Sequence, residues 1–163
     1  MMKKILFTLG LITSFSSQAA LELTNCVIVE PAPTSNVTGI FFDIRFRVTD
    51  EVKKLRIPGP ESIQGATIKG LSDTAEIHET VIKDGVMTMK QITQYKIKPN
   101  TEHQFKRGGH HLMIRDFSQR PVAGEEYELS VWSTYTEDPS CMAKVVKSAD
   151  LAMLKSKQVG SAE

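Results

Sequence analysis

Ile40, Phe42, Ile44, Phe46 and Val48 fall on alternate positions, and Asp43, Arg45 and Arg47 stand between them, with Phe41 as the apolar exception. Successive side chains of an extended strand point to opposite faces, so this stretch reads as a strand with one face in a core and one in water. Tyr127, Leu129 and Val131 repeat the pattern, and shorter candidate strands lie at 26–30, 65–68, 95–98, 111–115 and 143–147. Turn residues separate them: Pro31-Ala32-Pro33, Pro58-Gly59-Pro60, Asp84-Gly85, Pro99-Asn100, Gly108-Gly109 and Ala123-Gly124. Many short strands at this spacing predict an all-β chain, an antiparallel sandwich or small barrel. The only helical stretch expected is 148–157, which reads equally well as a tail.

The ends of the chain bound where it works. Lys3 and Lys4 precede an apolar run from Ile5 to about Phe15, followed by Ser17-Gln18-Ala19. That is the pattern of a secretory signal peptide over 1–19, cleaved after Ala19. The run is too short for a permanent membrane span, and no later segment is long enough. About 144 residues remain, enough for one domain over 20–147 with 148–163 as its tail. Loss of Lys3 and Lys4 takes the formal net charge from +1 to −1, which argues against nucleic acid or an anionic membrane as partner. Two cysteines remain, Cys26 and Cys141. In an exported protein such a pair reads as one disulfide, with free thiols or metal ligation as the alternatives.

The segment IHETVIKDGVMTMKQI, 77–92, carries the chemistry. Asp84-Gly85 is a two-residue hairpin signal, and counting outward from it sets Lys83 opposite Val86, Ile82 opposite Met87, Thr80 opposite Met89 and His78 opposite Gln91. His78, Thr80, Ile82, Met87, Met89 and Gln91 then share one face. His78 and Met89 become diagonal neighbours. Further on, GGHHLMIRDF, 108–117, places His111 and Met113 on one face of a second strand, with His110 and Leu112 on the other. If that strand end lies against the hairpin, two imidazoles and two thioethers converge. Soft thioethers select Cu(I), and no carboxylate completes the set as calcium or magnesium would require. Whether Cu(II) also binds stays open. Met87 reads as a packing residue, His103 as a solvated surface residue, and His110 as off the ligand face.

His78, Met89, His111 and Met113 follow one another as H-x10-M-x21-H-x-M, and this pattern, with DGVMTMKQI and KRGGHHLMIRDF around it, resembles the periplasmic copper chaperones called PCuAC-like proteins. The similarity runs from about Ala66 to Trp132. It implies a cupredoxin-like Greek-key sandwich or barrel that binds Cu(I) through these four residues. It further implies a periplasmic metallochaperone, not an enzyme, delivering copper toward the copper centre of cytochrome c oxidase. The acceptor would be an oxidase subunit or another copper chaperone; copper buffering without a dedicated acceptor uses the same residues. Other classes find less support. A blue-copper protein needs a cysteine thiolate with a downstream histidine, which Cys141-Met142 lacks. There is no C-x-x-C unit for thiol-disulfide chemistry, and His78-Glu79 begins a zinc-protease motif without its second histidine. A purely structural exported sandwich would make the four-residue pattern a coincidence.

Overall fold

The computed structural model describes residues 20–151. The signal peptide expected at 1–19 and the tail beyond 151 lie outside the described residues. Ten strands form in chain order: β1 (Leu21–Val29), β2 (Val37–Phe46), β3 (Ser62–Ile68), β4 (Ser72–Lys83), β5 (Val86–Ile92), β6 (Tyr95–Lys96), β7 (Glu102–Phe105), β8 (His110–Arg115), β9 (Glu126–Ser133) and β10 (Ser140–Val146). Hydrogen bonding runs β4-β8-β2-β1-β10-β9-β3, and β3 pairs again with β4, so these seven strands close into a barrel. β5 hangs on the outer edge of β4 and has no further strand neighbour among the described residues.

Every pair in the ring is antiparallel except β1 with β10, which is parallel. The antiparallel barrel expected from the sequence is present, and this one seam is its parallel exception. The reason is arithmetic: strands that alternate up and down around a ring of odd number cannot all differ from both neighbours. The two terminal strands meet there, and the Cys26–Cys141 disulfide spans the same seam across a sequence separation of 115 residues. Cys26 sits in an irregularity of β1, where the register shifts between Thr24 and Val27 and Asn25 takes φ +56°. On the chain-entropy account, closing a loop of that length stabilises the fold by up to about 5 kcal/mol.

The alternation read from the sequence is the core. Ile40, Phe42, Ile44 and Phe46 are buried to within 2% of complete, and Phe42 stacks on Phe105 at 4.5 Å between ring centroids. Tyr127, Leu129 and Val131 close the opposite wall. One helix was not anticipated: α1 (Asp50–Lys54). Its signals were present in VTDEVKK. The Thr49 hydroxyl caps the Val52 N–H, acidic residues fill the first turn, lysines fill the last, and Val52 anchors the turn to the barrel. Five residues are too few to show helical periodicity, which is why the pattern was missed.

Candidate metal centre

Asp84 and Gly85 take φ +52° and +75°, the left-handed pair that a two-residue hairpin of this kind needs. The register is the one counted from the sequence: Lys83 opposite Val86, Ile82 opposite Met87, Thr80 opposite Met89, His78 opposite Gln91. On its other side β4 pairs with β8, and there His78 lies directly opposite His111 and Glu76 opposite Met113. The second strand does lie against the hairpin. All four singled-out residues therefore stand on one face of three consecutive strands, β5, β4 and β8. That face is the outside of the barrel, because Ile77 and Leu112, the neighbouring cross-strand pair, point inward and are fully buried.

Within this face the four are not equivalent. The imidazoles of His78 and His111 face each other with ring centroids 6.0 Å apart, and both residues are nearly inaccessible, at 3% and 4% exposure. Met113 follows two residues after His111 and is partly buried. Met89 is diagonal to His78 on the opposite side and is 55% exposed. Along β4, Thr80 and Glu76, the partners of the two methionines, are four residues apart, roughly 13 Å. His78 lies midway between them. The thioethers thus flank the imidazole pair from two ends.

The chain breaks its own regularity to build this face. β7 and β8 both pair with β2, Phe105 opposite Phe42 and Leu112 opposite Ile40. Residues 106–111 stand where a regular strand would place a single residue, so the chain loops out, helped by Gly108 at φ +77°. The Lys106 N–H donates to the His110 carbonyl at 2.7 Å and the Gly109 N–H to the Lys106 carbonyl at 3.1 Å. This folds the Gly109 carbonyl back over the β4–β8 seam. There it accepts the Thr80 N–H at 3.2 Å and meets His111 Nδ1 at 3.1 Å.

That contact settles which nitrogen of His111 is engaged. Nδ1–H donates to the carbonyl, so Nε2 carries the free lone pair. His78 is held the other way round: Nε2 lies 3.0 Å from Glu76 Oε2, and Nδ1 is buried with no hydrogen-bond partner. Each imidazole has one nitrogen tied to an oxygen and one open, the arrangement that outer partners impose on metal-binding histidines. The Thr80 hydroxyl beside them is buried without a partner too. Burial pushes the His111 pKa down, favouring the neutral ring that a metal requires. Glu76 is held below the usual carboxylate range, first by its hydrogen bond to His78 and also by Arg115, whose Nε lies 3.4 Å away. Among the described residues no three His, Cys, Asp or Glu side chains gather closely enough to hold a metal.

Several residues that shape the site escaped the sequence reading. Glu76 does so although its spacing, two before His78 on a strand, puts it on the ligand face. Phe41, the apolar exception on the outer face of β2, has its ring 6.1 Å from that of His111 and walls the site. Gly39 makes room for it, since a Cβ there would come within 3.3 Å of the Phe41 ring. Two expectations are corrected. Met87 is 60% exposed rather than packed, because β5 projects past the barrel. His103 is half-buried, not solvated: its Nε2 accepts the Lys98 N–H at 3.0 Å and its Nδ1 meets the Tyr95 hydroxyl at 2.9 Å. His110 points away from His111, as alternation requires, and its ring packs at a tilt against Tyr95 with centroids 4.6 Å apart.

A closed seven-strand barrel with a histidine pair and two methionines on its outer wall defines a recognisable class of small all-β domain. The chain belongs to the LpqE-like lipoprotein family, whose model matches residues 21–134. No curated protein matches it. Among solved structures it is similar to the copper-bound PCuAC domain of PmoF2, at TM-score 0.60 and 11% identity, covering 81% of this chain and 97% of that one. The apo PCuAC domain of PmoF1 aligns at TM-score 0.57 and 12% identity, covering 78% and 94%. The Cu(I) form of DR1885 from Deinococcus radiodurans aligns at 0.52 and 17%, covering 81% and 83%. The fold is the cupredoxin-like one of PCuAC domains.

Proposed function

We propose that this chain is a periplasmic Cu(I) metallochaperone that holds one copper ion through His78, Met89, His111 and Met113. It passes the ion toward the copper centre of cytochrome c oxidase. The observation that carries the reading is the cross-strand histidine pair, each ring with one nitrogen bound to an oxygen and one buried or open for a ligand. His78 Nδ1 and His111 Nε2 are the nitrogens assigned to copper. Two neutral imidazoles and two thioethers are soft donors without charge, which favours monovalent copper over Cu(II) or zinc. Two of the similar structures are described as copper-bound or Cu(I) forms, which supports copper as the cargo.

Export fits both the family's lipoprotein name and the disulfide, a bond that persists in oxidising compartments; cleavage near Ala19 rests on the sequence pattern alone. Neither Sγ is free to take a lipid. No helix of the described residues is long and apolar enough to cross a membrane. The role needs no catalytic residue: copper changes owner by ligand exchange, and the exposed Met89 side is where an acceptor can reach it. The test mixes Cu(I)-loaded protein with the apo copper-centre domain of an oxidase. Transfer of copper is expected. Tight binding without transfer would make the protein a buffer, and equal Cu(I) affinity in wild type and His78→Ala would end the copper reading.

A further inference from the structure

The four residues of the site are unevenly exposed, at 3% and 4% for His78 and His111 against 55% for Met89. An ion brought by a donor therefore meets Met89 before it can meet an imidazole. Met87, two residues earlier on β5, is 60% exposed. It opposes Ile82 as Met89 opposes Thr80, so both thioethers stand on the face that carries His78. Their Cα atoms are roughly 7 Å apart along the strand, and three rotatable bonds in each side chain let two sulfurs close on one ion. Packing gives no reason for Met87, since β5 is an edge strand exposed from Val86 to Gln91.

We propose that Met87 and Met89 together form an entry site that receives Cu(I) from its donor and feeds it to the histidines. The proposal rests on the copper reading above. One bond from copper to the donor ligand breaks as the bond to Met87 Sδ forms, and Met89 Sδ replaces a second donor ligand. His78 Nδ1 and His111 Nε2 then bind, with Met113, and Met87 is released. Copper stays monovalent throughout, and each imidazole binds it through the ring nitrogen that carries no proton. Met87 is thus a kinetic ligand and Met89 a lasting one.

The test follows, by stopped-flow absorbance, the full chain stripping Cu(I) from its bicinchoninate complex, alongside equilibrium affinities. Met87→Leu keeps the volume and apolar character of the strand. It should slow copper uptake about fivefold or more while leaving the affinity within about twofold, whereas Met89→Leu should weaken the affinity about tenfold or more. An unchanged uptake rate in Met87→Leu would overturn the proposal, as would a loss of affinity equal to that of Met89→Leu. Failure of the wild type to take copper at all would instead remove the function on which the proposal rests.

Discussion

Strand β4 lives in two environments. Over Ala75 to His78 it is part of the barrel, with Ala75 and Ile77 buried in the core; over Val81 to Lys83 it runs beyond the barrel with only β5 beside it. Apolar residues occur in both halves, yet in the outer half they are bare: Val81 is 37% exposed and Ile82 68%, and beside them on β5 Val86 is 61% and Met87 60% exposed. The inner half shows what apolar side chains do for the fold. The outer half holds a similar composition that the fold does not use, which shifts its explanation to what the hairpin meets.

The sharpest way to break this contrast is to shorten one residue in each half. Ile77→Ala should cost about 2–5 kcal/mol by opening a cavity in a closed core, whereas Ile82→Ala should stay within about 0.5 kcal/mol. Urea unfolding checks both, and a comparable loss at Ile82 would mean that the hairpin packs on something in the free protein. Joint replacement of Cys26 and Cys141 by Ser should cost about 2–5 kcal/mol, read as a drop in melting temperature, with Cu(I) affinity retained because the disulfide lies at the β1–β10 seam and not on the ligand strands.

Next in size are the effects on the outer face. Glu76→Ala removes the oxygen that holds His78 Nε2, and Cu(I) affinity should fall about tenfold. Tautomer-sensitive nitrogen NMR of the His78 ring in the apo protein should show a loss of its single Nε2–H form. The smallest effect is that of pH on His103. Burial lowers its pKa, and Nε2, which accepts the Lys98 N–H, could carry a proton only by losing that bond. The unfolded chain therefore takes up the proton first as pH falls. The stability contributed is full above the unfolded value of about 6.5 and is lost as pH drops through the lower folded value. Wild type should lose stability between pH 7 and 5 more steeply than His103→Asn, and equal slopes would show that burial does not act on this ring.

How much of this was legible follows from the range of each signal. Alternation in β2 and the Asp84-Gly85 turn are local and strong, so core face, hairpin register and the shared face of His78 and Met89 could be counted in advance. The adjacency of β4 and β8 could only be supposed, because no local signal states which distant strands pair. The direct opposition of His78 and His111 therefore had to come from the structure. Phe41 and the Gly109 carbonyl were invisible for a related reason: a ring and a backbone oxygen acquire their role only when β2, β8 and the 106–111 loop come together. Glu76 could have been counted, since it lies two residues before His78 on the same strand face. Met87 was misjudged because a packed and a projecting strand share the same alternation.

X-ray absorption of the protein loaded with one equivalent of Cu(I) tests the central claim most directly. The account predicts two imidazole nitrogens and two thioether sulfurs around copper, with one sulfur lost in Met89→Leu and one nitrogen lost in His111→Ala. A copper shell without imidazole, or one left unchanged by both substitutions, would contradict it.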